Sequence, residues 1–415
     1  MNPASQPETS MCERAALWLA AASAVTVIFS IAASQILLGL AMAALLLSPR
    51  RLRLPPLHLP LALFVLATLA SLALSGDVAA GRPQIRKFFV WLMLPVVYST
   101  FRSTAQVRAL VLAWIGSAAI VALRGLVQFR EKIEHARLEG VSFYDYYVGE
   151  RITGFMSHWM TFSGQLMIVF LLAVAFVLFS PSARRGPLLY VLLGAVLTGA
   201  ALLVGFTRSI WLATACAAAY LLWRWRPWAA AALPVVLAAG VLAAPDSLRT
   251  RVVSMFRPKQ EVDSNQHRIV CWRTGWRIIQ AHPWLGLGPE QVRLQFARWV
   301  PRDVPWPLPT GWYGHLHSIY VHYAAERGIP AMLALVWLLA KILWDFLAAV
   351  RKIPPGPSEE RFLLHGGVAV VLAVLIEGIF ELNLGDSEVL ALFLAATAAV
   401  YVVRDRAMGA ESARA

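Results

Sequence analysis

Apolar segments long enough to cross a membrane recur along the whole chain. Runs of about 17–25 apolar residues each suffice for a hydrocarbon core of about 30 Å. With 59% hydrophobic and 14% charged residues among 415, the composition lies outside the range of soluble domains. The runs are continuously apolar rather than alternating, which favours helices over a barrel. The sequence therefore predicts an all-α polytopic membrane protein.

Short basic loops between these segments predict the orientation of the chain, because Lys and Arg collect in cytoplasmic loops. Placing such clusters inside predicts about twelve spans with both termini in the cytoplasm. Arg82, Arg86 and Lys87 fall at the outer end of the fourth span, where they either reach lipid headgroups or contact a substrate phosphate. The predicted spans lie near residues 15–30, 33–47, 59–74, 82–102, 109–127, 159–179, 188–206, 209–223, 228–244, 318–350, 362–380 and 389–403.

The net charge of +14 does not by itself point to nucleic acid, because the basic loops account for most of it as topology signals. We therefore predict no nucleic-acid partner. The three cysteines, Cys12, Cys216 and Cys271, offer neither a bridgeable pair nor the spacing of a zinc site.

The longest polar interruption runs from about Pro245 to Tyr323 and holds ten Lys/Arg residues, five Asp/Glu residues and six tryptophans. Membrane packing does not require a loop of this composition. We predict that it holds the phosphates of a lipid-linked substrate at the membrane surface. The predicted organisation is spans 1–9 in residues 1–244, a large periplasmic loop with amphipathic helices in residues 245–316, and spans 10–12 with a cytoplasmic tail in residues 317–415.

Arg208 lies in a tight turn between two apolar spans, in the sequence GFTRSIW. An arginine beside an apolar helix end is costly unless it reaches headgroups or a ligand. Thr207 and Ser209 place it at the start of a span, where free N–H groups also attract anions. Arg151 precedes the sixth span and can face the same compartment. Three tyrosines near it are either interfacial anchors or sugar contacts: Tyr144, Tyr146 and Tyr147.

A helix is predicted over about Ser264–Gln280, with His282–Pro283 ending it. Residues four apart share a helix face, and this face carries Arg268, Trp272 and Trp276. It either stacks on sugars and binds a phosphate bidentately or rests on headgroups as an amphipathic helix. The adjacent stripe carries two further arginines, Arg273 and Arg277.

Three histidines cluster in HLHSIYVH: His315, His317 and His322. The only carboxylate near them in the sequence is Glu326, which has Arg327 as a ready partner, so we predict no metal site. A neutral histidine at a membrane surface can instead act as a general base. His317 is thus either catalytic or structural.

Three motifs together resemble the superfamily of O-antigen ligases and Wzy-type polymerases. His317, Ser318 and Gly328 match its signature of His, then Asn/Ser/Gln, nine residues and Gly, whereas Ala331 departs from the Gly, Thr or Tyr that often follows. GFTRSIWLA resembles the arginine-bearing turn of the family. The segment HRIVCWRTGWRIIQAHPWLGLGP resembles one in which an arginine opens a helix and His-Pro-x-x-Gly-x-Gly ends it, here at His282, Pro283, Gly286 and Gly288.

The resemblance implies a GT-C-like glycosyltransferase of the bacterial inner membrane, acting on the periplasmic face without metal or cofactor and with inversion. Its donor would be an O-antigen on undecaprenyl diphosphate. In ligases the acceptor is lipid A–core oligosaccharide, which gives lipopolysaccharide. By the same resemblance Arg208 and Arg268 bind the diphosphate and His317 acts as the base. Further substrate contacts are predicted for Arg151, Trp272, Arg273, Trp276, Arg277, His315 and His322.

Two alternatives within the class use the same donor, an O-antigen polymerase and a protein O-oligosaccharyltransferase, and the motifs exclude neither. A transporter of lipid-linked sugars belongs to a different class and predicts charged residues within spans and internal repeats. The sequence shows few intramembrane charges, of which Arg124 and Glu377 are the clearest, and no evident repeat.

Overall fold

The computed structural model of the chain describes residues 10–181, 186–257, 265–309 and 311–412. Within these ranges the chain forms helices and no strand. A 3₁₀ turn spans Asn383–Gly385. The α-helices are α1 (Met11–Thr26), α2 (Ile31–Leu46), α3 (His58–Ala73), α4 (Val78–Arg86), α5 (Phe88–Trp91), α6 (Met93–Thr100), α7 (Thr104–Leu138), α8 (Phe143–Gly149), α9 (Trp159–Phe179), α10 (Leu188–Val204), α11 (Arg208–Trp225), α12 (Pro227–Ala243), α13 (Asp246–Val253), α14 (Asn265–Ala281), α15 (Gln291–Trp299), α16 (Ile319–Arg327), α17 (Ile329–Lys352), α18 (Glu359–Glu377) and α19 (Ser387–Ser412).

Four of the described helices, α7, α9, α17 and α19, are long and apolar enough to cross a membrane. Four shorter apolar helices, α2, α3, α10 and α12, accompany them. The chain is therefore a helical membrane protein, as its composition predicts. The count of twelve spans and the cytoplasmic position of both termini stay predictions.

Helix α9 lies at the centre of the bundle. It is apolar on every side, so it can be buried all round. It packs against α7, α10, α11, α18 and α19. Helix α9 spans Trp159–Phe179, the same residues as the predicted sixth span. The N-terminal ends of α9 and α11 lie beside the junction of α18 and α19: Thr161 Oγ1 donates to Asp386, and Arg208 lines one cavity with Phe380. The site described below is built there.

Two predicted spans are broken into shorter helices. Residues 82–102 fall on α4, α5 and α6, and α5 ends at Trp91 because Pro95, four residues on, has no N–H to donate to it. The predicted tenth span is two helices, α16 and α17, separated by Gly328 at φ +88°. The break falls where the sequence combines a glycine and a proline, at residues 328–330. Its cause is a left-handed glycine, and Pro330 lies in the first turn of the helix that follows.

The long polar segment after α12 contains helices α13, α14 and α15. The predicted helix is present as α14, and it ends immediately before His282–Pro283; Ser264, its predicted first residue, lies outside the described residues. Helices α14, α15 and α16 share a small hydrophobic core of their own, which includes Cys271, Ile278, Val292 and Leu316. This core holds α14 against the start of α16, so that residues far apart in the sequence meet there.

Candidate functional site

His317 and Glu381 form a hydrogen-bonded pair at the junction of α16 and α18. His317 directly precedes Ser318, the N-cap of α16. The Ile319 N–H donates to the Gly378 carbonyl at 2.8 Å, which ties the start of α16 to the end of α18. Three residues beyond Gly378, the Glu381 carboxylate meets His317 Nδ1 at 2.9 Å through Oε1 and 3.1 Å through Oε2.

Glu381 is buried and is surrounded by cationic or imidazole groups. Arg268 Nη2 donates to Glu381 Oε2 at 3.1 Å, and His315 Nε2 lies 3.6 Å from Oε1. Burial raises the pKa of Glu381, but His317, Arg268 and His315 outweigh burial and hold that pKa below its usual range. Glu381 is therefore a carboxylate at neutral pH, and it holds His317 in the form that carries a proton on Nδ1.

The backbone of His317 is in the left-handed region, with φ +47°. For a residue with a Cβ this conformation costs about 1–3 kcal/mol and persists only where its surroundings fix it. Here the His317 N–H donates to His315 Nδ1 at 3.1 Å, and Trp272 Nε1 donates to the His317 carbonyl at 3.3 Å. The ring is thus fixed from its backbone as well as from Glu381.

Two further imidazoles flank the His317 ring. The ring centroid of His315 lies 4.1 Å away and that of His267 lies 4.6 Å away. Burial lowers the pKa of His315 to about 3 and the pKa of His267 to about 4. Both are neutral at pH 7, so they add no positive charge next to His317. The Trp312 carbonyl lies 2.6 Å from His267 Nε2 and 3.3 Å from His317 Nε2.

Arg208 and Arg268 border one cavity of about 440 Å³. Arg208 is the first residue of α11 and is buried, and its Nη1 donates to the carbonyl of Ser254 at 2.8 Å and to its Oγ at 3.0 Å. Arg268 reaches the cavity from α14. The other lining residues are mostly apolar: Ser209, Leu212, Met255, Phe256, Ile269, Trp272 and Phe380.

The turn that carries Arg208 is held in an unusual conformation. Phe206 has φ +51°, and Arg251 Nε donates to its carbonyl at 2.9 Å. Trp211 Nε1 closes the hairpin between α10 and α11 by donating to the Leu202 carbonyl at 2.7 Å. These contacts place Arg208 at the buried end of α11.

Arg151 lies between α8 and α9, with its guanidinium carbon 4.4 Å from the centroid of the Trp159 ring. Its Nε donates to the Val148 carbonyl at 3.1 Å. Burial and then the charges of Arg251, Arg268 and Arg208 lower the pKa of Arg151. Arginine nevertheless stays protonated in proteins. The lowered pKa of Arg151 therefore reflects the positive electrostatic potential that the neighbouring guanidinium groups produce. Arg151 itself lines a neighbouring cavity of about 520 Å³.

Residues 193–336 match the family model described as O-antigen ligase. The resemblance read from the three motifs is thereby confirmed. The match covers about a third of the chain, including Arg208, Arg268 and His317, whereas Arg151 and Glu381 lie outside it. None of the curated proteins matches the chain.

Two glycines of the matched region, Gly286 and Gly328, let two segments approach each other closely. Gly286 has φ +64°, and a Cβ there would lie 2.4 Å from the backbone of Glu326. A Cβ on Gly328 would lie 2.1 Å from the Trp284 carbonyl oxygen. Across this close approach the Ile329 N–H donates to the Pro283 carbonyl at 2.8 Å. The end of α14 is thus locked against the junction of α16 and α17, which positions the helix that begins after His317.

The other residues with predicted roles lie away from the pair of His317 and Glu381. Arg273 pairs with Asp303 at 2.6 Å, and Arg277 Nη1 donates to the Val300 carbonyl at 2.7 Å. With the exposed Trp276 they line a cavity of about 630 Å³, and Trp272 also lines it. His322 is buried and faces a different carboxylate: its Nε2 lies 3.5 Å from Glu326 Oε1.

Two groups of side chains in the described part of the chain have the spacing of metal ligands: His267 with Cys271 and His317, and His315 with His317 and Glu381. Burial raises the pKa of Cys271 to about 12, so its thiol is protonated and is a poor ligand. At Glu381 the guanidinium of Arg268 already supplies a fixed positive charge, which opposes a divalent cation. The donor sets therefore suit hydrogen bonding better than metal binding.

The sequence patterns do not predict Glu381. It lies 64 positions after His317, in the short loop ELNLGDSE, whereas the carboxylate nearest to the histidines in sequence is Glu326. In the structure Glu326 instead pairs with Arg327 and accepts from the Glu290 N–H. One signal was available: this loop, predicted to lie on the same face as His317, carries three acidic residues and no basic residue of its own.

Proposed function

We propose that the protein is an O-antigen ligase that transfers a glycan from undecaprenyl diphosphate to lipid A–core oligosaccharide, with inversion and without a metal. The reaction takes place on the periplasmic face of the bacterial inner membrane, in a twelve-span GT-C-like fold with both termini cytoplasmic. The observation that carries the proposal is that Arg208 and Arg268 share a cavity, and that Arg268 is joined to His317 through Glu381.

The cavity suits a lipid diphosphate in both its charge and its lining. Arg208 and Arg268 present guanidinium groups, which bind phosphate oxygens in a forked geometry. A glycosyl diphosphate already contains a good leaving group, so stabilising the charge that develops on it is the main catalytic requirement. Leu212, Ile269 and Phe380 line the same cavity and offer apolar surface to the polyprenyl chain.

His317 is placed to accept a proton from the acceptor hydroxyl. Glu381 accepts from Nδ1, so in the neutral ring the lone pair is on Nε2. The Trp312 carbonyl, 3.3 Å from Nε2, is an acceptor, so it stabilises the imidazolium that forms when Nε2 takes up the proton. The hydroxyl oxygen attacks the anomeric carbon while its proton moves to Nε2. The bond between that carbon and the diphosphate oxygen breaks, and undecaprenyl diphosphate leaves with the bonding electrons. Glu381 then stabilises the imidazolium. The remaining rate acceleration comes from holding the reactants in place.

We assign Arg273, Trp276 and Arg277 to sugars further from the reacting bond rather than to the diphosphate. Their cavity is separate from that of Arg208, and Trp272 is the residue that lines both. His315 and Arg151 act from nearer positions: His315 orients the His317 backbone, and Arg151 adds to the positive field.

The test is transfer by the purified protein from a lipid-linked glycan to three acceptors supplied separately: lipid A–core, a second lipid-linked repeat unit, and an acceptor protein. We expect a product with lipid A–core at a rate that a chelator does not change. Arg208→Ala and Arg268→Ala should abolish this transfer. Arg298→Ala is their matched control, because this side chain is exposed at the end of α15. Transfer only to the repeat unit or to the protein would instead identify a polymerase or a protein oligosaccharyltransferase. A requirement for added metal would overturn the mechanism.

A further inference from the structure

A second charged cavity lies at the opposite end of α19 from His317 and Glu381. The N-terminal end of α19 adjoins the candidate site, where Asp386 accepts from Thr161 Oγ1 at 2.9 Å. From Asp386 to Asp405 the helix rises about 30 Å, which is the thickness of a hydrocarbon core. Helix α19 is one of the helices able to cross a membrane, and an α19 that crosses it puts its two ends, and with them the two cavities, at opposite membrane faces.

Three chain segments build this cavity, which has a volume of about 390 Å³. They are the connection between α2 and α3, the last turn of α6 with the connection to α7, and the C-terminal end of α19. The lining contains five arginines and one acidic residue. Its members are Arg50, Arg51, Arg53, Tyr98, Ser99, Phe101, Arg102, Val402, Asp405 and Arg406.

The acidic side chains in and near the cavity leave most of this positive charge uncompensated. Glu13 pairs with Arg50 at 2.6 Å. Asp405 accepts from the Tyr98 hydroxyl and pairs with Arg404 at 3.1 Å. Among the described ion pairs none involves Arg51, Arg53, Arg102 or Arg406.

Hydrogen bonds that involve no carboxylate hold the cavity walls together. The Arg53 N–H donates to Ser99 Oγ at 2.8 Å, and the Ser99 hydroxyl lies 3.2 Å from the Arg53 carbonyl oxygen. The Arg53 guanidinium lies over the Tyr98 ring, 5.3 Å from its centroid. Arg406 Nη1 donates to the carbonyl of Arg102. Like charges are therefore fixed close together, an arrangement that a bound anion would stabilise.

We propose that this cavity binds the phosphate headgroup of an anionic membrane lipid in the leaflet opposite to the candidate active site. Guanidinium groups bind phosphate oxygens in a forked geometry, and basic pockets between membrane helices are suited to such headgroups. Arginines that served only to orient the chain in the membrane would need their positive charge alone. They would need neither a concave site nor the hydrogen bonds that join the walls of this cavity. Phe101 and Val402 give the lining an apolar part, which favours a lipid over a free phosphate.

The test compares lipid binding to the purified protein in neutral detergent, measured by native mass spectrometry and by the thermal midpoint. The probes are cardiolipin, phosphatidylglycerol, phosphatidylcholine and inorganic pyrophosphate. The variant is Arg51→Gln combined with Arg102→Gln, two exposed side chains without a described partner, so no described hydrogen bond or ion pair is lost. The control is Arg224→Gln combined with Arg226→Gln, which removes the same charge from exposed positions at the end of α11.

We expect the anionic lipids to bind the wild type and the control, and to bind the Arg51/Arg102 variant at least about tenfold more weakly. The version with lysine at both positions keeps the charge and should retain part of the affinity. Equal binding by variant and wild type, or equal binding of phosphatidylcholine and the anionic lipids, would overturn the proposal. Saturation by pyrophosphate without competition from lipid would overturn the assignment to a lipid. Glycan transfer takes no part in this test.

Discussion

Replacing Glu381 by glutamine removes one charge and changes little else in size. Glu381 accepts from two donors, His317 Nδ1 and Arg268 Nη2. Glutamine can accept from one of them with its oxygen, but its NH₂ group then faces the other donor. The variant thus loses one charge-assisted hydrogen bond, worth about 1.5–3 kcal/mol.

In the transition state His317 becomes an imidazolium. Loss of the carboxylate therefore destabilises the transition state more than the ground state. A loss of about 1.5–3 kcal/mol corresponds to a factor of about 10–150 in rate. Stabilisation of the wrong tautomer adds to this loss, as removal of the orienting carboxylate does in catalytic triads. We expect kcat for transfer to fall about 10²–10³-fold, with a smaller change in KM for the lipid-linked donor.

The assay is steady-state transfer to lipid A–core by purified protein at varied donor concentration, accompanied by the thermal unfolding midpoint. Glu388→Gln is the matched control, because it removes the same charge seven residues away, in the first turn of α19, from a side chain without a described ion pair. A Glu381→Gln protein that is folded and transfers glycan as fast as the control would refute the role given to Glu381.

Three further predictions follow from individual positions. Gly286→Ala should lower the unfolding free energy by about 1–3 kcal/mol and reduce transfer, because its φ of +64° and the adjacent backbone both oppose a Cβ. The control is Gly240→Ala, since nothing lies within 4 Å of a Cβ there, and equal thermal midpoints for the two variants would contradict the close approach at Gly286. Burial lowers the pKa of His315 to about 3 and that of His267 to about 4, so as the pH falls the unfolded chain takes up these protons before the folded chain does. The thermal midpoint should therefore fall as the pH decreases from about 6.5 to about 4, and a midpoint that stays constant over this range would contradict the burial of both rings. Arg273→Ala should change transfer by less than about threefold, because Arg273 is assigned to sugars far from the reacting bond and its exposed ion pair with Asp303 contributes little to stability. A total loss of activity would instead place Arg273 at the diphosphate.

Much of the helical architecture could be predicted from hydrophobic runs. Helix α9 has its predicted bounds, because its apolar run is flanked by polar residues on both sides. The end of helix α7 is harder to predict, because the helix continues through polar residues to Leu138 and reaches a length of about 52 Å. Composition predicts where a chain crosses a membrane, but it does not predict how far a helix continues beyond it.

The candidate site could be predicted only where its residues belong to local motifs. Arg208, Arg268 and His317 each lie in a recognisable segment, and two of them line one cavity. Glu381 could not be linked to His317, since the contact depends on the hydrogen bond between Ile319 and Gly378. Helical periodicity also predicts Trp276 on the same helix face as Arg268, whereas in the structure Arg268 lines one cavity and the exposed Trp276 lines another.

Arg208 and Arg268 bind the donor diphosphate, whereas His317 accepts the proton of the acceptor, and measuring donor binding tests this separation of roles most directly. The measurement is the affinity of undecaprenyl diphosphate glycan for the wild type and for three variants, Arg208→Ala, Arg268→Ala and His317→Ala, in parallel with transfer. We predict that both arginine variants lose binding and transfer together, whereas His317→Ala binds the donor as the wild type does and transfers nothing. Arginine variants that bind the donor normally, or a His317 variant that transfers glycan, would contradict the mechanism.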